Sequence, residues 1–120
     1  VAEKGQWGER MAAKYYLQRG CRLLEHNYRT RFGELDLVLI SPERVLIICE
    51  VKLRAQNAPV SGAEAVNAAK QRRLILAAQH YVQHADAGEA NIRFDVAEVT
   101  PLDGGRAMVH VIENAFVCEA

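Results

Sequence analysis

FGELDLVLISPERVLIICEVKLR, Phe32 to Arg54, contains two almost wholly apolar runs, Leu35 to Ile40 and Val45 to Cys49. Runs of this kind suit central β-strands covered on both faces. Ser41-Pro42-Glu43-Arg44 between them is turn material, so the stretch reads as a β-hairpin. The remaining charges, Glu34 and Asp36 at the start of the first strand and Glu50 and Lys52 at the end of the second, converge at one end of it.

Side chains alternate along a strand, so Glu34 and Asp36 share a face, as do Glu50 and Lys52. Pairing Ser41 with Val45 across a three-residue loop sets Ile40 opposite Leu46, Asp36 opposite Glu50 and Glu34 opposite Lys52. Two facing carboxylates repel and disfavour the sheet unless positive charge lies between them. A divalent metal ion and the Lys52 ammonium are the natural candidates.

Asp36 followed on the next strand by Glu50-x-Lys52 resembles the PD-(D/E)xK nuclease site in the form used by archaeal Holliday junction resolvases. Further along the chain, Gly8-Glu9, Asn27-Tyr28-Arg29, Gly33-Glu34-Leu35-Asp36, Glu50-Val51-Lys52-x-Arg54 and Gly62, Ala65-Val66 and Lys70 resemble the bacterial YraN family. The likeness runs from Gly5 to about Phe116. It implies a restriction-endonuclease-like α/β fold, Mg²⁺ or Mn²⁺ as cofactor, Glu9 as a further site carboxylate from the first helix, and a homodimer. Leu35 stands where the nuclease motif has its proline, and Cys49 where an aliphatic residue is expected; neither change removes a metal ligand.

The 120 residues, half of them hydrophobic, make one domain able to bury a core without staples. No apolar run approaches the ~18 residues of a membrane span, and no basic-then-apolar leader is present, so a cytoplasmic, membrane-free protein is expected. Cys21, Cys49 and Cys118 are odd in number and lack a C-x-x-C spacing, which points to reduced thiols. Net charge is zero, unusual for a nucleic-acid binder. The distribution is uneven: residues 1–85 hold 13 Lys+Arg against 8 Asp+Glu, and residues 86–120 hold 2 against 7.

Taken in order, Gly5 to Arg19 reads as a helix ended by Gly20, with Glu9 on or beside the stripe Ala13, Tyr16, Leu17. Cys21 to Arg29 reads as a strand, and Arg29 and Arg31 beside Tyr28 suit phosphate contacts and base stacking. An edge strand carrying arginines to deter aggregation is the plainer alternative. A polar loop from Arg54 to Val60 precedes Ser61-Gly62-Ala63-Glu64, a capping box expected to start a helix running to about His84. Lys70 extends the apolar stripe Leu74, Ala77, Ala78, Tyr81, from where it reaches either a phosphate or a site carboxylate, or else snorkels to solvent. His80 and His84 are four residues apart but lack further ligands, so they read as surface histidines. After a loop from Ala85 to Ala90, Asn91 to Thr100 and Ala107 to Ile112 are strands joined through Asp103-Gly104-Gly105, with Ile92, Phe94 and Val96 on one face and Asp95 toward solvent. The order is α-β-β-β-α-β-β, a central mixed sheet flanked by helices.

The chemistry that follows is metal-dependent cleavage of a nucleic-acid phosphodiester, in DNA and with branched DNA among the substrates. Asp36, Glu50 and Glu9 would bind the metal, with the Val51 carbonyl completing the shell. Lys52 would steady the attacking water or neutralise developing charge. Arg29, Arg31, Arg54 and Lys70 would contact the nucleic acid. Two other classes stay open: a catalytically inactive nuclease-fold module that binds nucleic acid or a protein partner, and a structural protein with no nucleic-acid partner.

Overall fold

Every strand of the described chain joins a single sheet, in the order β1-β2-β3-β4-β5, within a computed structural model that describes residues 2–56, 66–85 and 91–117. Helix α1 (Ala2–Leu17) is followed by β1 (Arg22–Thr30), β2 (Gly33–Ile40), β3 (Val45–Leu53), α2 (Ala68–Ala85), β4 (Asn91–Pro101) and β5 (Ala107–Phe116). The order is the expected α-β-β-β-α-β-β. The sheet is mixed: β3 and β4 run parallel, joined by the crossover that contains α2, and every other neighbouring pair is antiparallel.

The two faces of the sheet are covered by different helices. Ala12, Ala13 and Tyr16 of α1 pack with Leu37, Leu39, Ile47, Cys49, Ala97 and Val99. On the other face Leu74, Ala77, Ala78 and Tyr81 of α2 pack with Leu35, Val38, Leu46, Ile48, Phe94 and Val96. This double cover is why the hairpin strands could be apolar almost throughout.

Local signals end the elements much as their chemistry requires. Gly20, at φ +86°, closes α1 as a C′ residue: its N–H donates to Leu17 O at 3.1 Å, and Cys21 N–H donates to Tyr16 O at 3.1 Å. These are the two bonds of a Schellman motif. The hairpin turns as expected, with Ser41 N–H donating to Val45 O at 2.9 Å and Arg44 in the left-handed region at φ 70°.

Several expectations need correction. Leu17 is half-exposed and does not extend the α1 core stripe, which ends at Tyr16. Ile92 shares the face of Phe94 and Val96 as expected, but is exposed where they are buried. The Ser61–Glu64 capping box and most of the loops expected before and after α2 lie outside the described residues. Helix α2 itself begins at Ala68, where the Asn67 side-chain oxygen accepts from Lys70 N–H at 2.9 Å, so Asn67 is its N-cap. Ala85, expected in a loop, is its last residue.

Asp95 is the largest departure. It is 1% exposed, and its carboxylate accepts from the Tyr16 hydroxyl at 2.7 Å, the Arg93 guanidinium twice at 2.9 Å, and Asn114 N–H at 3.0 Å. A buried carboxylate survives only with such a set of donors. Asp95 thereby ties α1, β4 and β5 together in the core.

Candidate active site

The site forms where the hairpin stops pairing. The β2–β3 ladder runs from Ile40↔Leu46 to Leu37↔Cys49, the register expected from the turn, and its next pair would be Asp36 with Glu50. Instead the Asp36 side chain takes over from the backbone, its Oδ2 accepting from Val51 N–H at 2.9 Å. The strands separate beyond this point, so Glu34 does not face Lys52; it lies 3.5 Å from exposed Arg29 on β1.

Strict alternation fails at the same position. Leu35 and Leu37 pack on opposite faces of the sheet, so β2 turns over at Asp36. Asn27, the β1 residue across from Asp36 by continuity of register, has φ 50°. On either side of it His26 borders the α1 face, while the Tyr28 hydroxyl lies 3.1 Å from His80 Nδ1 on α2. A left-handed residue re-aims the side chains around it, and here two neighbouring strands switch faces together.

Glu50, 4% exposed, follows Ile48 onto the α2 side of the sheet. Its carboxyl group neighbours that of Asp36. Burial first, and then the neighbouring Glu50, push the Asp36 carboxyl up to about 8, against a downward pull from Val51 N–H. Glu50 Oε2 is buried without a hydrogen-bond partner. Lys70 Nζ is 3.2 Å from it and Lys52 Nζ 3.9 Å. Lys70 is within reach but off the line a hydrogen bond needs, so its contribution is Coulombic. It therefore comes to a site carboxylate rather than into free solvent.

Glu9 approaches from the α1 side. Gly8 lets the helix lie against the end of β3: a Cβ at that position would stand 3.0 Å from Leu53 Cδ1 and 3.6 Å from Val51 Cγ1. Burial raises Glu9 above its ordinary value, the Asn27 side-chain amide that binds it pulls the other way, and the charges of Glu34 and Glu50 add to the rise. Glu9 thus senses Glu50. Among the described residues, however, no three His, Cys, Asp or Glu side chains converge closely enough to chelate an ion.

The predicted cations divide. Arg29 is highly exposed, and Arg31 is exposed with its guanidinium 4.8 Å from the Phe32 ring centroid. Arg54 is different: it is largely buried, with Nη1 3.0 Å from Glu98 Oε2, while Glu98 Oε1 lies 3.1 Å from His110 Nδ1. This holds the start of the segment after β3 against β4. His80 and His84 stack at 3.9 Å, and His84 Nδ1 is 2.9 Å from His80 O. Asn27, beside Glu9, and Glu98, the partner of Arg54, are not among the site residues expected from the sequence. Only the Asn27-Tyr28-Arg29 motif offered a signal for either.

Two neighbouring carboxyl groups, one of which keeps a buried oxygen without a hydrogen-bond partner, suit a hard divalent cation. Asp36 and Glu50 would hold it. Glu9 completes no chelating set in this geometry.

The sequence profile of the uncharacterised protein family UPF0102 matches residues 8–99. A UPF0102 protein of Alkaliphilus metalliredigens is 39% identical over 112 residues, covering 93% of this chain and 96% of the relative. Another from Symbiobacterium thermophilum is 40% identical over 112 residues, covering 93% and 94%. The solved structure of Pyrococcus furiosus SfsA in complex with Ca²⁺ aligns over 82% of this chain and 57% of its own, at 11% identity and TM-score 0.31, a likeness too distant to carry an argument.

Proposed function

The chain belongs to the UPF0102 family, the YraN family whose motifs it resembles, and from that membership and the site geometry we propose that it is a metal-dependent nuclease. The reaction is hydrolysis of a phosphodiester in nucleic acid, with branched DNA as the leading substrate class. The observation that carries this reading is the Asp36–Glu50 pair, two carboxyls in contact at the mouth of a splayed hairpin with one buried oxygen unpartnered. The α-β-β-β-α-β-β order and mixed sheet agree with the nuclease resemblance.

Asp36 and Glu50 would hold Mg²⁺ or Mn²⁺. Such an ion, when bound, polarises the phosphoryl group and makes water acidic enough to attack near neutral pH. The protein's own contribution is positional and electrostatic. Val51 N–H fixes one Asp36 oxygen, so the carboxylate has little freedom to reorganise. Lys70 supports the charge on Glu50, and Lys52, at the longer distance, has an ammonium available to orient water or neutralise the charge developing on phosphate. Arg29 and Arg31 would draw in the phosphate backbone.

A second reading, a nuclease-fold module that binds without cutting, is favoured by one observation: Glu50 already has two ammonium groups near it, and among the described residues no third ligand converges. Labelled linear, flapped and four-way-junction substrates incubated with Mg²⁺ or Mn²⁺ test the proposal. Cleavage abolished by Glu50→Gln supports it. Intact substrates, together with no calorimetric Mn²⁺ binding at the carboxylates, would assign the binding role instead.

A further inference from the structure

A cleft of about 360 Å³ opens between α1 and β1 beside the candidate site, lined by Gln6, Glu9, Arg10, Ala13, Leu23, His26, Asn27 and Leu37. Its walls follow from particular sequence choices. Gln6, Glu9, Arg10 and Ala13 are at i, i+3, i+4 and i+7, one stripe of the helix. Ala13 is the small residue that leaves the space. On β1 a register shift between Leu23 and Glu25 sends Leu24 to the α2 core and leaves Leu23, 37% exposed, in the cleft. His26, paired with Leu37, faces the same side.

The chemistry of the lining is that of a receptor for a flat, mostly neutral ring. Ala13, Leu23 and Leu37 give an apolar floor, Gln6 and His26 bring hydrogen-bonding groups to the rim, and the Glu9 carboxylate disfavours phosphate inside while accepting from an amine. Arg10, exposed at the edge, supplies a cation for a phosphate outside. Asn27, across from Asp36 by register, and Leu37, next to it in the chain, both line the cleft, so whatever fills the cleft lies beside Asp36.

We propose that this cleft binds a nucleobase from an unpaired strand, so that the preferred nucleic acid carries an unstacked nucleotide beside the phosphate presented to the carboxylates. The inference rests on the nuclease reading for its ligand class. A base inside a duplex is stacked on both faces and cannot enter; one at a branch or in a single strand enters at little cost.

The test is binding by the full chain in EDTA to oligonucleotides with 2-aminopurine either in a single-stranded flap or within a blunt duplex, in deoxyribo and ribo versions. Flap affinity should exceed duplex affinity by about tenfold, with a change in 2-aminopurine emission, in line with one base–side-chain contact. Leu23→Trp, which fills the cleft from an exposed position, should remove that preference, and Gln6→Trp should do so from the helix side. Thermal unfolding of both variants confirms that they fold. Equal affinity for flap and duplex, or a preference that survives both folded variants, overturns the inference. Failure of the nuclease reading looks different: base capture persists in EDTA while no substrate is cut with Mn²⁺. The sugar giving the stronger preference identifies the strand as DNA or RNA.

Discussion

Burial and the neighbouring Glu50 raise the Asp36 carboxyl to about 8, so it holds its proton to higher pH in the folded chain than in the unfolded one. A raised carboxyl contributes stability that is fully present below its unfolded value and is lost as pH rises through the folded one. The native state is therefore penalised progressively between about pH 4 and 8. Asp36→Asn keeps an oxygen for Val51 N–H and offers an amide to Glu50 without ionising. In metal-free buffer at pH 8 it should be more stable than the parent by about 1 to 3 kcal/mol, the difference vanishing below pH 4. Chemical denaturation across that range checks it, and a variant less stable at every pH would make Asp36 a structural residue. Lys52 separates cutting from holding. Lys52→Met should bind metal and flapped DNA nearly as well as the parent but cleave roughly 10² to 10³ times more slowly. Rate and affinity must be read on the same substrate with the same metal; normal cleavage would leave Lys52 a simple charge partner of Glu50.

Helix α1 delivers Glu9, and its two ends are held in different ways. Gly8 allows close approach to Val51 and Leu53, whereas Gly20 closes the C-terminus and directs the chain into β1. An L-residue at position 20 would be strained at φ +86° and would bring its Cβ to 3.1 Å from Pro42 Cγ in the hairpin turn. Gly20→Ala should therefore lower stability by about 1 to 2 kcal/mol, read as an earlier urea midpoint with unchanged slope. No loss would mean that the turn yields readily. Helix α2 has a comparable link to the site, because the N–H capped by Asn67 is that of Lys70, whose ammonium stands beside Glu50. Beneath both helices, the Tyr16–Asp95 bond joins α1 to the sheet seven residues beyond Glu9, on the same helical face.

A chain of zero net charge can still attract nucleic acid if its cations are free and grouped. Arg29 and Arg31 are grouped and exposed at the end of β1 and the turn after it, Arg29 with part-exposed Glu34 3.5 Å away; Arg54 is not free, since it neutralises buried Glu98. Arg29→Ala and Arg31→Ala should each weaken DNA binding and reduce the dependence of log K on log salt by about 1. Arg54→Ala should act mainly on folding, costing on the order of 2 kcal/mol because it leaves Glu98 buried with only His110. Titrations at several salt concentrations, paired with unfolding curves, distinguish the two effects. If Arg54→Ala instead lowers the salt slope and leaves stability intact, the Glu98 pair is dispensable.

What the sequence determined by itself was the content of short stretches: two apolar strands, a turn that sets Ile40 opposite Leu46, a glycine that ends α1, and an element order that allows a double-covered sheet. These follow from steric and hydrophobic preferences acting over a few residues, so they are legible without the rest of the chain. The approach of Asp36 to Glu50 was legible only in part, since the turn sets the register as far as Leu37↔Cys49 and the pairing stops there. Tertiary structure decided what distant segments bring to each position. Asp95 looks like a solvent-facing strand residue until Tyr16, 79 residues earlier, donates to it. Arg54 looks like a phosphate ligand until Glu98 on the neighbouring strand claims it. The turnover of β2 at Asp36 accompanies the left-handed Asn27 on the strand beside it, so even the face a side chain points to was not a property of its own strand. Burial and charge pairing are relations between surfaces, and those surfaces exist only once the helices have closed over the sheet.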